Sequence, residues 1–237
     1  MAAVAHLNTT VDATDGTSYA SGAFTPTAND LLVVFVAATG TVAAAPTMTD
    51  SQALGFTLIT SFLWNVSTAR LYLFVADALA AASSMTVTFD CTGDAAVNCQ
   101  IVVAGVSGMT AVGSAAVVQS SGQHNGGNGA TPAPVFAGSC VTTNPTLGAV
   151  ADTRNPAAET PPTNWTELAD TGVETSGLEY VHRDSGFTGT TITWGAAANN
   201  RWASLIVELD ASAGAADETI IGHMSAEMQS FAVSLSH

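Results

Sequence analysis

The chain has 237 residues, with 4 basic residues against 19 acidic ones and a formal net charge of −15 at pH 7. A surface that binds nucleic acid or an anionic membrane needs clustered Lys and Arg, so this composition excludes both partners. Hydrophobic residues form 47% of the chain, which argues against intrinsic disorder, and the longest apolar run, 31–38, is much shorter than the roughly 18 residues of a membrane span.

We interpret residues 1–20 as an N-terminal arm, followed by short apolar runs of strand length. Two of these runs alternate apolar residues with Thr, as in a sheet with one solvated face, and turns rich in Gly, Pro, Asn and Asp separate them. The runs are 31–36, 71–75, 85–89, 101–106, 178–181, 191–194 and 204–209. The pattern predicts an all-β, jelly-roll-like antiparallel sandwich over residues 21–212.

The order of these runs indicates an internal repeat. Five blocks of the first half recur in the second with offsets of 115, 109, 107, 105 and 104 residues. The first set is 29–32, 56–59, 71–74, 86–89 and 101–107, and the second is 144–147, 165–168, 178–181, 191–194 and 205–211. Two quasi-repeated halves, about 21–112 and 130–212, would each leave an apolar face for the other to bury. A loose alignment of any two β-rich stretches remains the alternative.

A Gly-, Ser- and Asn-rich tract, 119–129, lies between the halves. Such a composition is typical of an exposed or crossover loop, and we interpret His124 within it as a loop residue rather than a ligand.

The C-terminal segment, 213–237, is set apart by the small residues that precede it. Its apolar residues recur at helical spacing, although a short strand is also compatible with its end. So short a segment needs a partner surface, which lies either on the same domain or on a neighbouring subunit. We therefore predict that intersubunit contacts are made by this segment or by the N-terminal arm. The candidate contact residues are Ile220, Ile221, Met224, Met228, Phe231 and Leu235.

Signatures of chemistry are sparse. Cys91, Cys99 and Cys140 include no C-x-x-C pair, and no basic, apolar leader opens the chain, so we expect free thiols. Nucleophile, P-loop and zinc-protease motifs are missing. Asp12 and Asp15 offer oxygen ligands, as do Asp50 and Asp94, but the repeating Asp pattern of a calcium loop is absent. We expect no catalytic residues, metal or cofactor.

The four tryptophans could form either a core or a sugar-binding face, and we favour the core. They are Trp64, Trp165, Trp194 and Trp202.

Several stretches, 24–34, 160–168, 184–188 and 202–209, together resemble the β-sandwich virion structural proteins of tailed bacteriophages and prophages. The resemblance covers roughly residues 20–212 and consists of spacing and turn residues. It implies a jelly-roll-like subunit with a role in the virus particle, and it carries no functional residues.

We therefore expect a phage virion structural protein that is not an enzyme. Its most favoured role is capsid decoration (a cement protein) on the head exterior, after assembly in the host cytoplasm. The expected partners are the major capsid protein or other virion proteins, and further copies of the chain in a homo-oligomer such as a trimer. The alternative is a tail-associated adhesin or glycan-binding module. A glycan hydrolase or lyase, the third hypothesis, requires a cleft with two close carboxylates and a shifted pKa.

Overall fold

The computed structural model describes residues 2–40, 45–64, 68–91, 95–109, 113–125, 130–154, 159–174, 176–195 and 201–211. Within them the chain forms thirteen strands and one 3₁₀ turn, Gly113–Ala116. The strands before the turn are β1 (Ala3–Asp12), β2 (Ser18–Ala20), β3 (Leu31–Gly40), β4 (Thr47–Asp50), β5 (Thr57–Trp64), β6 (Ala69–Asp77), β7 (Val87–Asp90) and β8 (Ala96–Ser107). Those after it are β9 (Val117–Asn125), β10 (Thr146–Asp152), β11 (Thr166–Val173), β12 (Ser176–Arg183) and β13 (Trp202–Leu209).

Two five-stranded antiparallel sheets face each other. The first sheet has the order β1-β8-β3-β6-β5 and the second β9-β13-β10-β12-β11, and a small sheet has the order β2-β7-β4. At the two sides of the sandwich, β1 lies near β11 and β5 near β9. The predicted all-β sandwich is therefore confirmed.

The main core lies between the two large sheets. Alternate residues of β3, from Leu31 to Ala37, meet alternate residues of β10 and β13, such as Leu147 and Leu205. Phe35 and Tyr180 pack edge to face across this core, with ring centroids 4.8 Å apart. Both faces of β3 are buried, which explains why its sequence is a continuous apolar run.

Each large sheet is also covered on its outer side. The small sheet buries the outer face of the first sheet, with Tyr19, Met48 and Phe89 among the contacts. The outer face of the second sheet is covered by segments that contribute Phe136 and Trp194. In both halves the covering segments are joined by backbone hydrogen bonds, such as Phe24 N–H to Met85 C=O (2.9 Å) and Phe136 N–H to Thr190 C=O (2.8 Å).

The two large sheets share one connectivity. Counting the five strands of each sheet in chain order, the order across the sheet is first, fifth, second, fourth, third in both. Gly55 and Asn164, 109 residues apart, both have positive φ and precede an aromatic residue and Thr. β5 and β11 also carry a bulge at the same aligned position, with Ile59 and Leu168 as the extra residues. These features are what the predicted repetition would produce.

The jelly-roll connectivity is not confirmed by this strand order. Each half of the chain stays within its own large sheet, whereas a jelly roll is built from two Greek keys spread over two sheets.

Three other expectations need correction. The predicted arm contains β1, which pairs with β8 from Ala3 to Asp12 as the edge of the first sheet. The tract predicted as a loop contains most of β9, which pairs along β13. The predicted strand at 191–194 is a covering segment with a single bridge at Thr191. Backbone pairing with a neighbouring strand orders the first two of these stretches, and single-sequence patterns do not record that pairing.

Within the described ranges, no helix is long and apolar enough to cross a membrane.

Candidate functional site

The predicted contact residues cannot be placed on the fold. Ile220, Ile221, Met224, Met228, Phe231 and Leu235 all lie in 212–237, outside the described residues. The contact role of the C-terminal segment therefore stays a prediction.

Two of the candidate calcium ligands, Asp12 and Asp50, are engaged in local turns. Asp12 accepts hydrogen bonds from the amide and hydroxyl of Thr14, and Asp50 accepts the amides of Gln52 and Leu54. Asp94 lies outside the described residues. In the part of the chain that the structure describes, no group of three or more acidic, His or Cys side chains is arranged to hold a metal ion.

The tryptophans pack mainly in the interior. Trp64, Trp194 and Trp202 are fully buried, whereas Trp165 is half-buried and packs edge to face on Phe187, with ring centroids 5.5 Å apart. The three cysteines are also buried, and none of them forms a disulfide.

The most unusual chemistry lies on the outer face of the second sheet. Glu179 is in the middle of β12, between β10 and β11, where it pairs with Val150 and Asp170. Its neighbours Leu178 and Tyr180 face the main core, so the alternation of a strand directs Glu179 to the opposite face. Glu179 is only 1% exposed.

The carboxyl group of Glu159 acts on Glu179 and is itself linked to Asp152 through Arg154. Arg154 Nε donates to Asp152 Oδ2 at 2.6 Å, and Arg154 Nη2 donates to Glu159 Oε1 at 3.0 Å. The Arg154 amide also donates to Asp152 Oδ1, at 2.9 Å. We call Asp152, Arg154, Glu159 and Glu179 the carboxyl cluster.

Burial and mutual repulsion control the protonation of this cluster. Desolvation, followed by the charge of Glu159, raises the pKa of Glu179 to about 9. Desolvation and the charge of Asp152 raise the pKa of Glu159 to about 7, although Arg154 opposes that shift. Near neutral pH, Glu179 is therefore a neutral acid inside the fold.

The cluster contains polar atoms without hydrogen-bond partners. Both carboxyl oxygens of Glu179, Oε2 of Glu159 and the indole nitrogen of Trp194 are buried without one. The indole lies close enough to Glu179 to oppose part of its pKa shift. Native structures leave few buried polar groups unsatisfied, so this set stands out.

Glu208 shows what a satisfied glutamate looks like on the same face. It is also 1% exposed, but Oε1 accepts the Val141 amide at 2.7 Å and the Asn144 amide group at 2.8 Å. Oε2 accepts Gln119 Nε2 at 2.6 Å. Glu208 thus stabilises the sheet through defined contacts, whereas Glu179 has none of this kind.

The carboxyl cluster was not predicted from the sequence. The available signal was Glu179 itself, a charged residue inside the apolar strand run 178–181. A carboxyl pair with raised pKa is what the hydrolase hypothesis requires, but Glu179 and Glu159 are buried under their own chain rather than exposed in a cleft.

Comparisons with known protein families, with curated proteins and with solved structures found no match to this chain.

Proposed function

We propose that this chain is a structural subunit of a bacteriophage virion, a decoration (cement) protein bound in many copies to the capsid exterior. The observation that carries the proposal is the closed, layered architecture. Both large sheets are covered on both faces by the chain itself, which makes a rigid body with most of its apolar surface already buried. Such a body suits a role in holding neighbours together.

Charge and composition support the same role. The net charge of −15 keeps free subunits and particles apart. A protein that binds only the assembled shell stabilises that shell by linkage, without catalysis. The resemblance of residues 20–212 to phage virion proteins supports the setting, with the major capsid protein as partner.

A second candidate is a tail-associated, glycan-binding module. The specific observation in its favour is the half-buried pair Trp165 and Phe187, since aromatic faces of this kind can stack on sugars. The burial of Trp64, Trp194 and Trp202 removes the broader aromatic platform that this function would use.

The decisive experiment is the copy number of the chain in purified virions, measured by quantitative peptide mass spectrometry. We expect a number that scales with the major capsid protein. A handful of copies would contradict decoration and favour the tail-associated candidate, and complete absence would overturn the virion proposal.

A truncation tests the contact prediction. The chain without 213–237 should retain the circular dichroism spectrum of the sandwich and lose binding to particles. Full particle binding by the truncated chain would show that the contacts lie elsewhere, and then the exposed edge of β1 is the next surface to change.

A further inference from the structure

A short stretch of chain before β11 covers the carboxyl cluster. Residues 159–162, which we call the strap, precede β11. Glu159 at the start of the strap is buried, accepts a hydrogen bond from Arg154 and acts on Glu179 of the second sheet. The Thr160 C=O accepts the Gly195 amide at 2.8 Å, and a Cβ built on Gly195 would lie 2.6 Å from Thr160 Cβ. The strap therefore sits in direct contact with the segment that carries Trp194.

The charged groups that act on Glu179 beneath the strap are all acidic. The charged groups that face Glu179 are Glu159 from the strap and Glu167 and Asp170 from β11. Asp152 and Arg154, at the end of β10, act on Glu159 in turn. Arg154 is already bound by both Asp152 and Glu159, so it does not neutralise a further charge on Glu179.

The geometry also leaves Glu179 without compensation for a charge. Neither carboxyl oxygen accepts a hydrogen bond of good geometry, and the only nearby donor among the described residues is the buried indole N–H of Trp194, which has no other partner and lowers the pKa of Glu179 by less than the other causes raise it. A buried carboxylate is tolerated where hydrogen bonds or a counter-charge stabilise it, as around Glu208. Glu179 has no counter-charge and only the weak contact with the Trp194 indole, so we expect its ionisation to open the surroundings to water.

We propose that the carboxyl cluster is a proton-operated clasp, in which the strap stays closed over the second sheet while Glu179 is protonated and opens when Glu179 loses its proton. Opening moves Glu159 away from Glu179, admits water to both groups and breaks the Gly195–Thr160 hydrogen bond. The main core between the sheets is not involved, because Glu179 points away from it.

The sign of the pH effect follows from the direction of the shift. The pKa of Glu179 is raised from 4.5 to about 9 in the folded state. Folded chains therefore hold the proton more tightly than unfolded ones, and the stabilisation is complete at acidic pH and is lost as the pH rises towards 9. The clasp is closed in acid and opens in base.

Hydrogen exchange of the full-length protein tests the clasp, with protection factors corrected for the intrinsic pH dependence of exchange. We expect the protection of the Gly195 amide to fall about tenfold or more between about pH 5 and about pH 9. The Val141 amide, which donates to Glu208 on the same face, serves as the internal reference. Its protection factor should stay constant over this pH range.

Two matched variants identify the operating group. Glu179→Gln keeps the shape of the protonated acid and should hold the Gly195 protection nearly constant over the same pH range. Glu208→Gln alters an equally buried glutamate of the same face, and should lower global stability without removing the pH dependence at Gly195.

Three results would overturn the proposal. They are a Gly195 protection that is independent of pH in the unmodified chain, an unchanged loss of protection in Glu179→Gln, and recovery of protection at high pH on addition of calcium alone. If Glu179→Gln fails to fold, Glu159→Gln replaces it, and it should reduce the pH dependence because it removes the charge beside Glu179.

Discussion

Gly122 shows how one residue sets the spacing of the two sheets. It lies on β9, where a Cβ would come within 2.4 Å of Phe62 Cε2 on β5 and 2.8 Å of Leu205 Cδ2. No side chain fits there unless the Phe62 ring moves. Glycine in a strand thus marks a close approach, and here it lets the polar edge of one sheet pack against the other.

Replacing Gly122 with Ala should lower the free energy of unfolding by about 1–3 kcal/mol, because the added methyl group overpacks the contact with Phe62. Urea denaturation monitored by circular dichroism measures the change.

The matched control for this change is Gly138→Ala. A Cβ at Gly138 meets nothing within 4 Å, so its effect should stay within about 0.5 kcal/mol. Equal stability of the two variants would show that Phe62 yields freely and that Gly122 has no spacing role.

Single residues such as these were the least predictable from the sequence. Gly122 lies in a tract with the composition of a loop. That tract is ordered by backbone pairing with β13 and by a contact with β5, and both partners are distant in sequence. Glu179 was visible as a charge in an apolar run, but its neighbour Glu159 comes from another element. Contacts between distant segments cannot be read from local periodicity.

At the scale of elements, bulges interrupt all four edges of the two large sheets. Each outermost strand has one extra residue in its pairing, namely Leu7, Ile59, Val118 and Leu168. An edge strand exposes unpaired backbone groups, and a bulge makes it a poor template for pairing with another chain. The bulges are therefore expected to limit uncontrolled strand addition between copies of the chain.

The extra residues differ in burial, which yields a test. Ile59 packs against the main core, whereas Val118 is 50% exposed. Ile59→Ala should cost about 1–3 kcal/mol of unfolding free energy, below the range for a fully buried residue, since its side chain is partly buried.

Val118→Ala is the control and should stay within about 0.5 kcal/mol. Thermal and urea unfolding compare the two variants. A large effect of Val118→Ala would contradict its exposed position, and a negligible effect of Ile59→Ala would mean that the bulge is fixed by backbone pairing alone.

The repeat alignment illustrates what sequence can and cannot give for elements. Offsets of 109, 107 and 105 place residues on the same face in both halves, as Leu73 and Tyr180 show. The offsets of 115 and 104 align residues that lie on different faces. With the offset of 115, Leu31 faces the main core and its equivalent Thr146 does not. With the offset of 104, Ile101 faces the outer side of its sheet and its equivalent Leu205 faces the main core.

The reason for these two errors is burial on both sides. β3 and β8 are apolar on both faces, so the period-2 alternation that would fix their register is absent from the sequence. A shift of one residue turns every side chain to the other face. The existence of β3 and β8 was therefore predictable from the sequence, but their register was not.

At the scale of the whole molecule, each large sheet depends on the other. The main core takes residues from β3, β6 and β8 on one side and from β10, β12 and β13 on the other. Either half alone would expose this apolar face, although its outer face would remain covered. An exposed face of that kind leads to association.

The two halves should therefore fail to fold separately and succeed together. A fragment of residues 1–112 is expected to aggregate or to associate through the face that it exposes, because its share of the main core would meet water. Co-expression with residues 113–237 should give a soluble complex, since the crossing from one half to the other is a single connection. Size-exclusion chromatography and circular dichroism measure both results. A soluble, folded monomer of residues 1–112 would contradict the mutual dependence of the sheets, and so would failure of the co-expressed halves to form a folded complex.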